Sequence, residues 1–228
     1  MHGSKGRAAD LPAKGLNLRE KDSFKMKKTL WFDVETGGTD SEKDALLQLA
    51  GLIEIDNEIV DEINLKIQPV KGKNVTAEAI KKHGLTMDMI EGFEKPWEAR
   101  WKFDTFLTRN NPAPAKDKRY IMAGYNADFD CRFLNQWYQD LSGGPYDYWK
   151  HLQFSPVDPL PTLRIMRHLE LLDVPDTKLE TVCDYFGITI NAHDALSDIK
   201  ATREVSKIVF SLLQSGFAVQ VVRMRKAV

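Results

Sequence analysis

Residues 29–38 have the sequence TLWFDVETGG, in which an apolar, β-prone run ends in two carboxylates and two glycines. This run predicts a buried first strand. Asp33 and Glu35 are two residues apart, so on an extended chain both side chains point to the same face and could hold one hard cation. Asp56 and Glu58 repeat the spacing, but they flank a predicted hairpin turn, where solvated charges are the simpler interpretation. Strand-end placement beside glycines therefore distinguishes the first pair.

Apolar patterns beyond this run predict an opening antiparallel meander, followed by alternating strands and helices. The predicted strands span residues 29–34, 46–55, 58–67, 120–123 and 154–158. The predicted helices span residues 76–82, 96–108, 127–141, 160–172, 178–186 and 195–215, the last ending before Gly216. This order predicts an α/β fold in which helices flank a mixed central sheet, an antiparallel meander plus parallel strands.

Two further polar segments lie at predicted element boundaries. Residues 126–130 (NADFD) stand where a short strand passes into a helix, a position where α/β proteins gather ligand-binding groups. The alternative is that Asp130 only favours the helix N-terminus. Residues 193–198 (HDALSD) open the last helix, but a His and an Asp at this spacing also occur at residues 83–88 and 168–173, so spacing alone is weak support.

Together these segments supply four carboxylates and one titratable imidazole: Asp33, Glu35, Asp130, Asp198 and His193. Such an inventory suits the hydrolysis of a phosphodiester by two divalent ions. Four carboxylates near one point would repel one another unless cations compensated them.

The composition fits one globular domain with a short N-terminal extension. Of 228 residues, 43% are hydrophobic and 29% are charged, and the net charge is −1. Residues 1–28 carry +5 and the remainder −6, so the body is acidic, which suits carboxylates kept for metal ions. We expect residues 1–25 to be a disordered leader or added extension before a domain at 26–228, with a basic nucleic-acid-binding arm as the alternative.

The sequence also bears on the cellular location of the protein. The two cysteines, Cys131 and Cys183, lie far apart, which argues against a disulfide framework or a thiolate zinc site. No apolar stretch approaches the roughly 20 residues of a membrane span, and no secretory signal is evident. We therefore expect a cytoplasmic, intracellular protein.

The three polar segments, in this order, resemble the three motifs of the DEDDh (DnaQ-like) 3′-to-5′ exonucleases, which have a ribonuclease H-like fold. Asp33 and Glu35 match D-x-E, Asp130 ends N-x-x-F-D, and His193 and Asp198 match H-x-A-x-x-D. The resemblance spans about residues 28–213, with weaker similarities at 83–86 (HGLT) and 178–188. One departure is Gly37, where many members carry a second threonine.

The resemblance implies a role for each motif residue and a cofactor of two divalent cations, Mg²⁺ or Mn²⁺. Asp33, Glu35 and Asp198 would bind one metal, Asp33 would also reach the second, and Asp130 would act partly through water. His193 would be the general base, because a neutral imidazole can take a proton from the attacking water near pH 7.

The same resemblance implies contacts to the terminal nucleotide. The candidates are Thr36, His83 and Asn126. Tyr125 and Phe129 could stack on bases, although the four-residue spacing of aromatic side chains after Phe129 favours a core position for it.

The implied function is removal of nucleotides from the 3′ end of single-stranded DNA in proofreading, repair or end trimming. One alternative is an exoribonuclease similar to ribonuclease T or oligoribonuclease. Another is a nuclease-like docking subunit of a polymerase or integrase complex. The expected partners are a nucleic acid with a free 3′ end and a polymerase or other DNA-processing protein. Trp97, Trp101 and the loop at residues 109–119 are interpreted as core and linker.

Overall fold

The fold is built on a four-stranded mixed sheet. A computed structural model describes residues 28–112, 114–142, 150–153, 155–191 and 195–226. The strands are β1 (Thr29–Thr36), β2 (Leu46–Ile55), β3 (Glu58–Lys66) and β4 (Ile121–Ala123). Their order is β3-β2-β1-β4; the first three pair antiparallel and β4 pairs parallel to β1. The predicted meander plus parallel strand is confirmed.

Seven α-helices accompany the sheet in the described residues. They are α1 (Ala77–His83), α2 (Met87–Glu91), α3 (Pro96–Arg109), α4 (Ala127–Ser142), α5 (Leu160–His168), α6 (Leu179–Phe186) and α7 (Ala195–Lys226). No helix in these ranges is both long enough and apolar enough to cross a membrane.

The two faces of β1 pack against different helices, because side chains alternate along a strand. Leu30, Phe32 and Val34 join one core cluster with side chains of α3 and α4. Trp31 faces the other way and packs with Ala195 and Ile199 of α7. Alternation places Asp33 and Glu35 on the same side as Trp31, so the sheet directs them toward α7.

A buried ion pair holds α7 against the sheet. Glu54 of β2 is 0% exposed, and Arg203 of α7 donates to it from Nε at 2.7 Å and from Nη2 at 3.0 Å. Trp31 Nε1 donates to the same carboxylate at 2.7 Å. Three donors therefore satisfy a buried charge that would otherwise be costly. The pair fixes the part of α7 that also carries Asp198.

The hairpin between β2 and β3 has the predicted turn. Asp56 and Asn57 have φ values of 52° and 73°, and two central residues with positive φ form the tight turn that matches strand twist. Asp56 and Glu58 are exposed, so this second carboxylate pair is solvated as the simpler interpretation expected.

Several predicted boundaries are wrong. The helix predicted at 160–172 ends at His168, because Glu170 adopts φ 57° and Leu171 N donates to Met166 O, which closes the helix without a glycine. The last helix continues through Gly216 to Lys226, since one glycine weakens a helix by only about 1 kcal/mol and need not end it.

Two further predictions about elements also differ from the structure. In place of a strand at 154–158 the described residues have isolated bridges, including Val157 with Ala123; Phe154 lies outside them. The sequence pattern also missed α2, whose five residues are too few to show helical periodicity.

The exposed tryptophans of α3 contradict their interpretation as core. Trp97 and Trp101 are 65% and 66% exposed, whereas Phe103, Phe106 and Leu107 form the buried face of the helix. Because Trp97 and Trp101 are four residues apart, they share one face, and that face points to solvent.

Candidate active site

Three carboxylates converge where β1 meets α7. Asp33 and Glu35 come from β1, and Asp198 comes from the first turn of α7. One carboxylate oxygen from each lies within 4.8 Å of the other two, close enough for all three to ligate one ion. Two residues close in sequence and a third more than 160 positions away are thus brought together, as the motif order predicted. These residues could hold a divalent metal ion.

Asp130 joins this group from the first turn of α4. Its side chain is 3% exposed, and its Oδ1 accepts a hydrogen bond from the backbone N of Val34 at 3.0 Å. Because Val34 lies between Asp33 and Glu35, this bond ties the start of α4 to the acidic end of β1. Asp130 is therefore more than a residue that favours a helix N-terminus.

The concentration of negative charge raises the pKa of two of these carboxyls. Burial raises the pKa of Asp33 well above 3.8, and the charges of Asp130, Glu35 and Asp198 raise it further, while Lys82 opposes the rise. Burial likewise raises the pKa of Asp130, against hydrogen bonds from backbone amides that lower it. The cluster resists full ionisation unless positive charge compensates it. Mutually repelling carboxylate oxygens, which are partly or fully buried, are a ligand set that fits Mg²⁺ or Mn²⁺.

His83 at the end of α1 lies against this cluster. Its Nδ1 is 2.8 Å from Oε2 of Glu35, and the two side chains are 7% and 10% exposed. The contact is at ion-pair distance but lacks the geometry of a hydrogen bond. The sequence predicted a nucleotide contact for His83, and this role stays a prediction; the structure adds the contact with Glu35.

The other two predicted nucleotide contacts lie in different surroundings. Thr36 is buried, and its Oγ1 donates to Gly38 O at 2.5 Å. Asn126 is exposed, has φ 63° and lines the cleft described below. Their contacts to substrate stay predictions.

The glycine at the unusual position in the first motif has a steric cause. A Cβ at Gly37 would lie 2.4 Å from Asn74 O and 3.1 Å from the Cα of Val75. Gly37 N also donates to Ala45 O at 2.7 Å. The close approach of these backbone segments leaves no room for a side chain such as threonine.

His193, the predicted general base, lies outside the described residues, as do Ala192 and Asp194. Its role stays a prediction.

A cleft of about 840 Å³ adjoins the carboxylates. Asp33, Glu35, Asp130 and Asp198 line it from β1, α4 and α7. Tyr125, Asn126 and Phe129 also line it, and Phe129 packs on Phe133 with ring centroids 4.9 Å apart. The Tyr125 hydroxyl donates to Thr177 O at 2.6 Å, which joins the start of α4 to the segment before α6.

Sequence reasoning missed several residues around this cleft. The basic residues Lys82, Arg164 and Lys178 line it. A single Lys or Arg on a predicted helix has no sequence pattern that distinguishes it from an ordinary solvent-exposed residue. Asp158 was also missed; its Oδ2 accepts from Ala127 N at 3.0 Å and its Oδ1 from Leu160 N at 2.8 Å. One carboxylate thereby ties the N-termini of α4 and α5 together.

Comparisons with known proteins agree with this geometry. The profile of an exonuclease family, RNase_T, matches residues 30–206. Ribonuclease T of Shewanella baltica is 30% identical over 183 residues, which cover 76% of this chain and 77% of that protein. The PolC-type DNA polymerase III of Clostridium perfringens is 26% identical over 184 residues, 80% of this chain and 11% of the polymerase.

A solved structure shows the same fold. E. coli Exonuclease I, determined in complex with a dT13 oligonucleotide, superposes with a TM-score of 0.68 at 23% identity, over 85% of this chain and 43% of that one. The chain thus spans about a tenth of the PolC-type polymerase and less than half of Exonuclease I. With a family match over most of its length, the chain belongs to the RNase_T exonuclease family, the DnaQ-like 3′-to-5′ exonucleases with a ribonuclease H-like fold.

Proposed function

We propose that this exonuclease removes nucleotides from the 3′ end of single-stranded DNA, with two divalent cations, Mg²⁺ or Mn²⁺, and His193 as general base. The observation that carries the proposal is the convergence of Asp33, Glu35 and Asp198 within 4.8 Å, with Asp130 held beside them. A related PolC-type DNA polymerase supports DNA as the substrate.

We propose a separate role for each residue of the site. Asp33, Glu35 and Asp198 would hold one cation, Asp33 would also contact the second, and Asp130 would act partly through water. When bound, such ions activate water and stabilise the charge that develops on the phosphate and the leaving oxygen. His193 would accept the proton of the attacking water. Thr36, His83 and Asn126 are proposed to position the terminal nucleotide.

A second candidate is an exoribonuclease. The observation in its favour is the 30% identity to Ribonuclease T over 77% of that protein, a greater share than the chain covers of the polymerase. The two sugars differ by one hydroxyl, so the same carboxylates would serve either substrate.

A third candidate is a docking subunit of a polymerase or another DNA-processing complex, supported by the polymerase relatives. Such a subunit would contribute little catalysis, and the presence of all five motif residues argues against this.

The test is digestion of matched DNA and RNA oligonucleotides that carry the label at the 5′ or the 3′ end, with Mg²⁺, Mn²⁺ or EDTA. We expect a 3′ label to be released at once as a mononucleotide and a 5′ label to give a ladder that shortens from the 3′ end. EDTA should stop both reactions, and DNA should be digested faster than RNA.

A matched pair of variants links this activity to the site. Asp198→Asn should abolish digestion, whereas Asp184→Asn, an exposed residue of α6 outside the cleft, should not change it. Faster digestion of RNA would favour the second candidate. Absence of digestion under all metal conditions would favour the third.

A further inference from the structure

The buried carboxylate of Glu54 connects the two elements on which the three converging carboxylates lie. Its Oε2 accepts hydrogen bonds from Trp31 Nε1 and from Arg203 Nε, each at 2.7 Å. Its Oε1 accepts one from Arg203 Nη2 at 3.0 Å. Trp31 belongs to β1 and Arg203 to α7, while Glu54 itself belongs to β2. One side chain therefore joins the strand and the helix that carry the proposed metal ligands.

The contacts around Glu54 leave the two arginine and glutamate side chains little freedom. The Glu54 side chain is 0% exposed and that of Arg203 is 11% exposed, so water competes weakly for these bonds. Two nitrogens of Arg203 meet the two oxygens of one carboxylate, a paired geometry that fixes orientation as well as distance. Arg203 Nη2 also donates to Asn57 O at 2.9 Å, so the turn between β2 and β3 holds the same guanidinium.

The spacing of the ligands along the two elements matches these contacts. Asp33 lies two residues after Trp31 on β1, and Asp198 lies five residues before Arg203 on α7. Two strand residues span about 6.6 Å, and five helix residues span about 7.5 Å. Because the two lengths are nearly equal, a contact that holds Arg203 close to Trp31 also holds Asp198 close to Asp33.

The other packing between α7 and β1 is apolar at this level. Ala195 and Ile199 of α7 contact Trp31 in one buried cluster. Hydrophobic contact is non-directional, so it does not by itself fix how far the helix slides along the strand. Lys200 of α7 also pairs with Glu62 of β3 at 3.6 Å, but both side chains are more than half exposed, and such a pair contributes little.

We propose that Glu54 is a positioning residue for the metal site: its bonds to β1 and α7 hold the two elements at the register in which Asp198 meets the carboxylates of β1. This inference rests on the proposed function, since it takes the three converging carboxylates as ligands of a divalent cation. Glu54 contacts neither the cation nor the substrate in this role. It acts through the distance between the ligands.

The experiment compares two carboxylates that each receive an arginine side chain. The test variant is Glu54→Gln, whose amide NH₂ group cannot accept the bonds that one carboxylate oxygen accepts. The control is Asp61→Asn on β3. Asp61 Oδ2 lies 2.8 Å from Arg109 Nε and 2.6 Å from Arg109 Nη2. This pair joins α3 to β3, and neither element carries a residue of the proposed site.

A third variant separates positioning from stability. Glu54→Gln leaves a buried guanidinium without its counter-charge, so it also destabilises the fold. Glu54→Met/Arg203→Met removes both charges, and apolar replacement of a buried ion pair is often neutral or stabilising. This double variant therefore keeps the buried packing but lacks the directional bonds.

The measurements are the Kd for Mn²⁺, from the electron paramagnetic resonance signal of the free ion, and the melting temperature without metal. We expect Glu54→Gln and Glu54→Met/Arg203→Met to bind Mn²⁺ about tenfold more weakly than the wild type, at the lower end of the usual cost of losing a group that orients metal ligands. The double variant should do so while keeping a melting temperature near that of the wild type. Asp61→Asn should keep the wild-type Kd even where its melting temperature falls.

Two results would overturn the positioning role. They are a wild-type Mn²⁺ affinity in Glu54→Met/Arg203→Met and a loss of affinity in Asp61→Asn equal to that in Glu54→Gln. The variant Asp198→Asn, which lacks a ligand, distinguishes this failure from that of the proposed function. If the wild type binds Mn²⁺ no better than Asp198→Asn, the metal site itself is wrong, and both proposals fail. If the affinity requires Asp198 but not Glu54, only the positioning role fails.

Discussion

At the scale of single residues, the site concentrates like charges that the fold alone does not neutralise. Asp33 is surrounded by Glu35, Asp130 and Asp198, and Lys82 opposes their effect on its pKa only in part. Such repulsion is a cost that the folded chain bears in the absence of cations. Metal binding and stability are therefore linked through these side chains.

This linkage leads to a prediction for Asp33→Asn. We expect nuclease activity to fall by orders of magnitude, while the melting temperature of the metal-free protein stays the same or rises, because repulsion is relieved. Mn²⁺ should raise the melting temperature of the wild type but not of the variant. The measurements are digestion assays and thermal melts with Mn²⁺ or EDTA. Wild-type turnover in the variant would show that Asp33 is not a ligand.

The raised pKa of Asp33 also gives the sign of a pH effect. A carboxyl that holds its proton more tightly when folded makes the metal-free protein less stable as pH rises from about 3.8 through the raised pKa. The Asp33→Asn variant should lose this part of the pH dependence of the free energy of unfolding.

A second prediction concerns His193 as general base. The base must be neutral, so activity at saturating metal should fall as pH drops through the pKa of this imidazole. His193→Ala should lose most activity and keep metal binding, whereas His168→Ala, an exposed histidine, should have no effect. The check is a pH-rate profile of each variant. A His193→Ala protein with the wild-type rate and the same acid limb would refute the assignment.

Motif spacing could single out the acidic residues because Asp33 and Glu35 are two residues apart on one strand, and Asp130 and Asp198 lie in the first turns of two helices. It could not predict Asp158, whose role depends on a neighbour far along the chain: its Oδ2 accepts a hydrogen bond from Ala127 N, 31 positions away. No local sequence pattern predicts such a contact, because the partner depends on how α4 and α5 pack in the folded protein.

At the scale of elements, boundaries were less predictable than the elements themselves. Helix α5 ends through a left-handed Glu170, a conformation that glycine normally signals. Helix α3 was predicted at the right place, but aromatic spacing did not reveal which face is buried. Trp97 and Trp101 have the same periodicity as a core face, and only the position of β3 and α4 decides that Phe103 and Phe106 are the buried residues instead.

Helix α3 offers a direct comparison of its two faces. Trp97→Ala and Trp101→Ala should each change the free energy of unfolding by no more than about 0.5 kcal/mol, as is usual for exposed positions. Phe103→Ala should cost about 3–5 kcal/mol, because Phe103 is fully buried and packs on Phe106 and Tyr138. Urea denaturation measures all three. A loss above about 1.5 kcal/mol for either tryptophan would show that it is covered in solution.

At the scale of the whole molecule, strand order was predictable and long-range polar contacts were not. The meander follows from consecutive strands joined by a short turn. The Arg203–Glu54 pair, separated by 149 positions, and the Asp130 bond to Val34, separated by 96, appear only when α7 and α4 pack on opposite sides of the sheet. These contacts set the positions of the helices that carry Asp198 and Asp130.

Global stability should decline in acid partly because of His151. This residue is 3% exposed, and burial lowers the pKa of its imidazole below 6.5, with Lys150 adding to the effect. The unfolded chain therefore takes up a proton that the folded chain resists, so stability is lost as pH falls from about 6.5 through the lowered pKa. His151→Gln should reduce the loss between about pH 7 and 5, measured by urea denaturation. His168→Gln, at an exposed site, should retain the wild-type loss; equal behaviour of the two variants would contradict the role of His151.

The last prediction concerns the N-terminal segment. Strand β1 begins at Thr29 and pairs with β2 on one side and with β4 on the other, so β1 itself needs no further partner strand. Deleting residues 1–25 should therefore leave the melting temperature and single-nucleotide removal unchanged. Residues 1–28 carry +5, so a nucleic-acid-binding arm would instead reveal itself as weaker oligonucleotide affinity, most strongly at low salt. Thermal melts and a salt titration of single-stranded oligonucleotide binding distinguish the two. Loss of folding on truncation would show that the segment is part of the domain, because only a segment packed on the core can stabilise it.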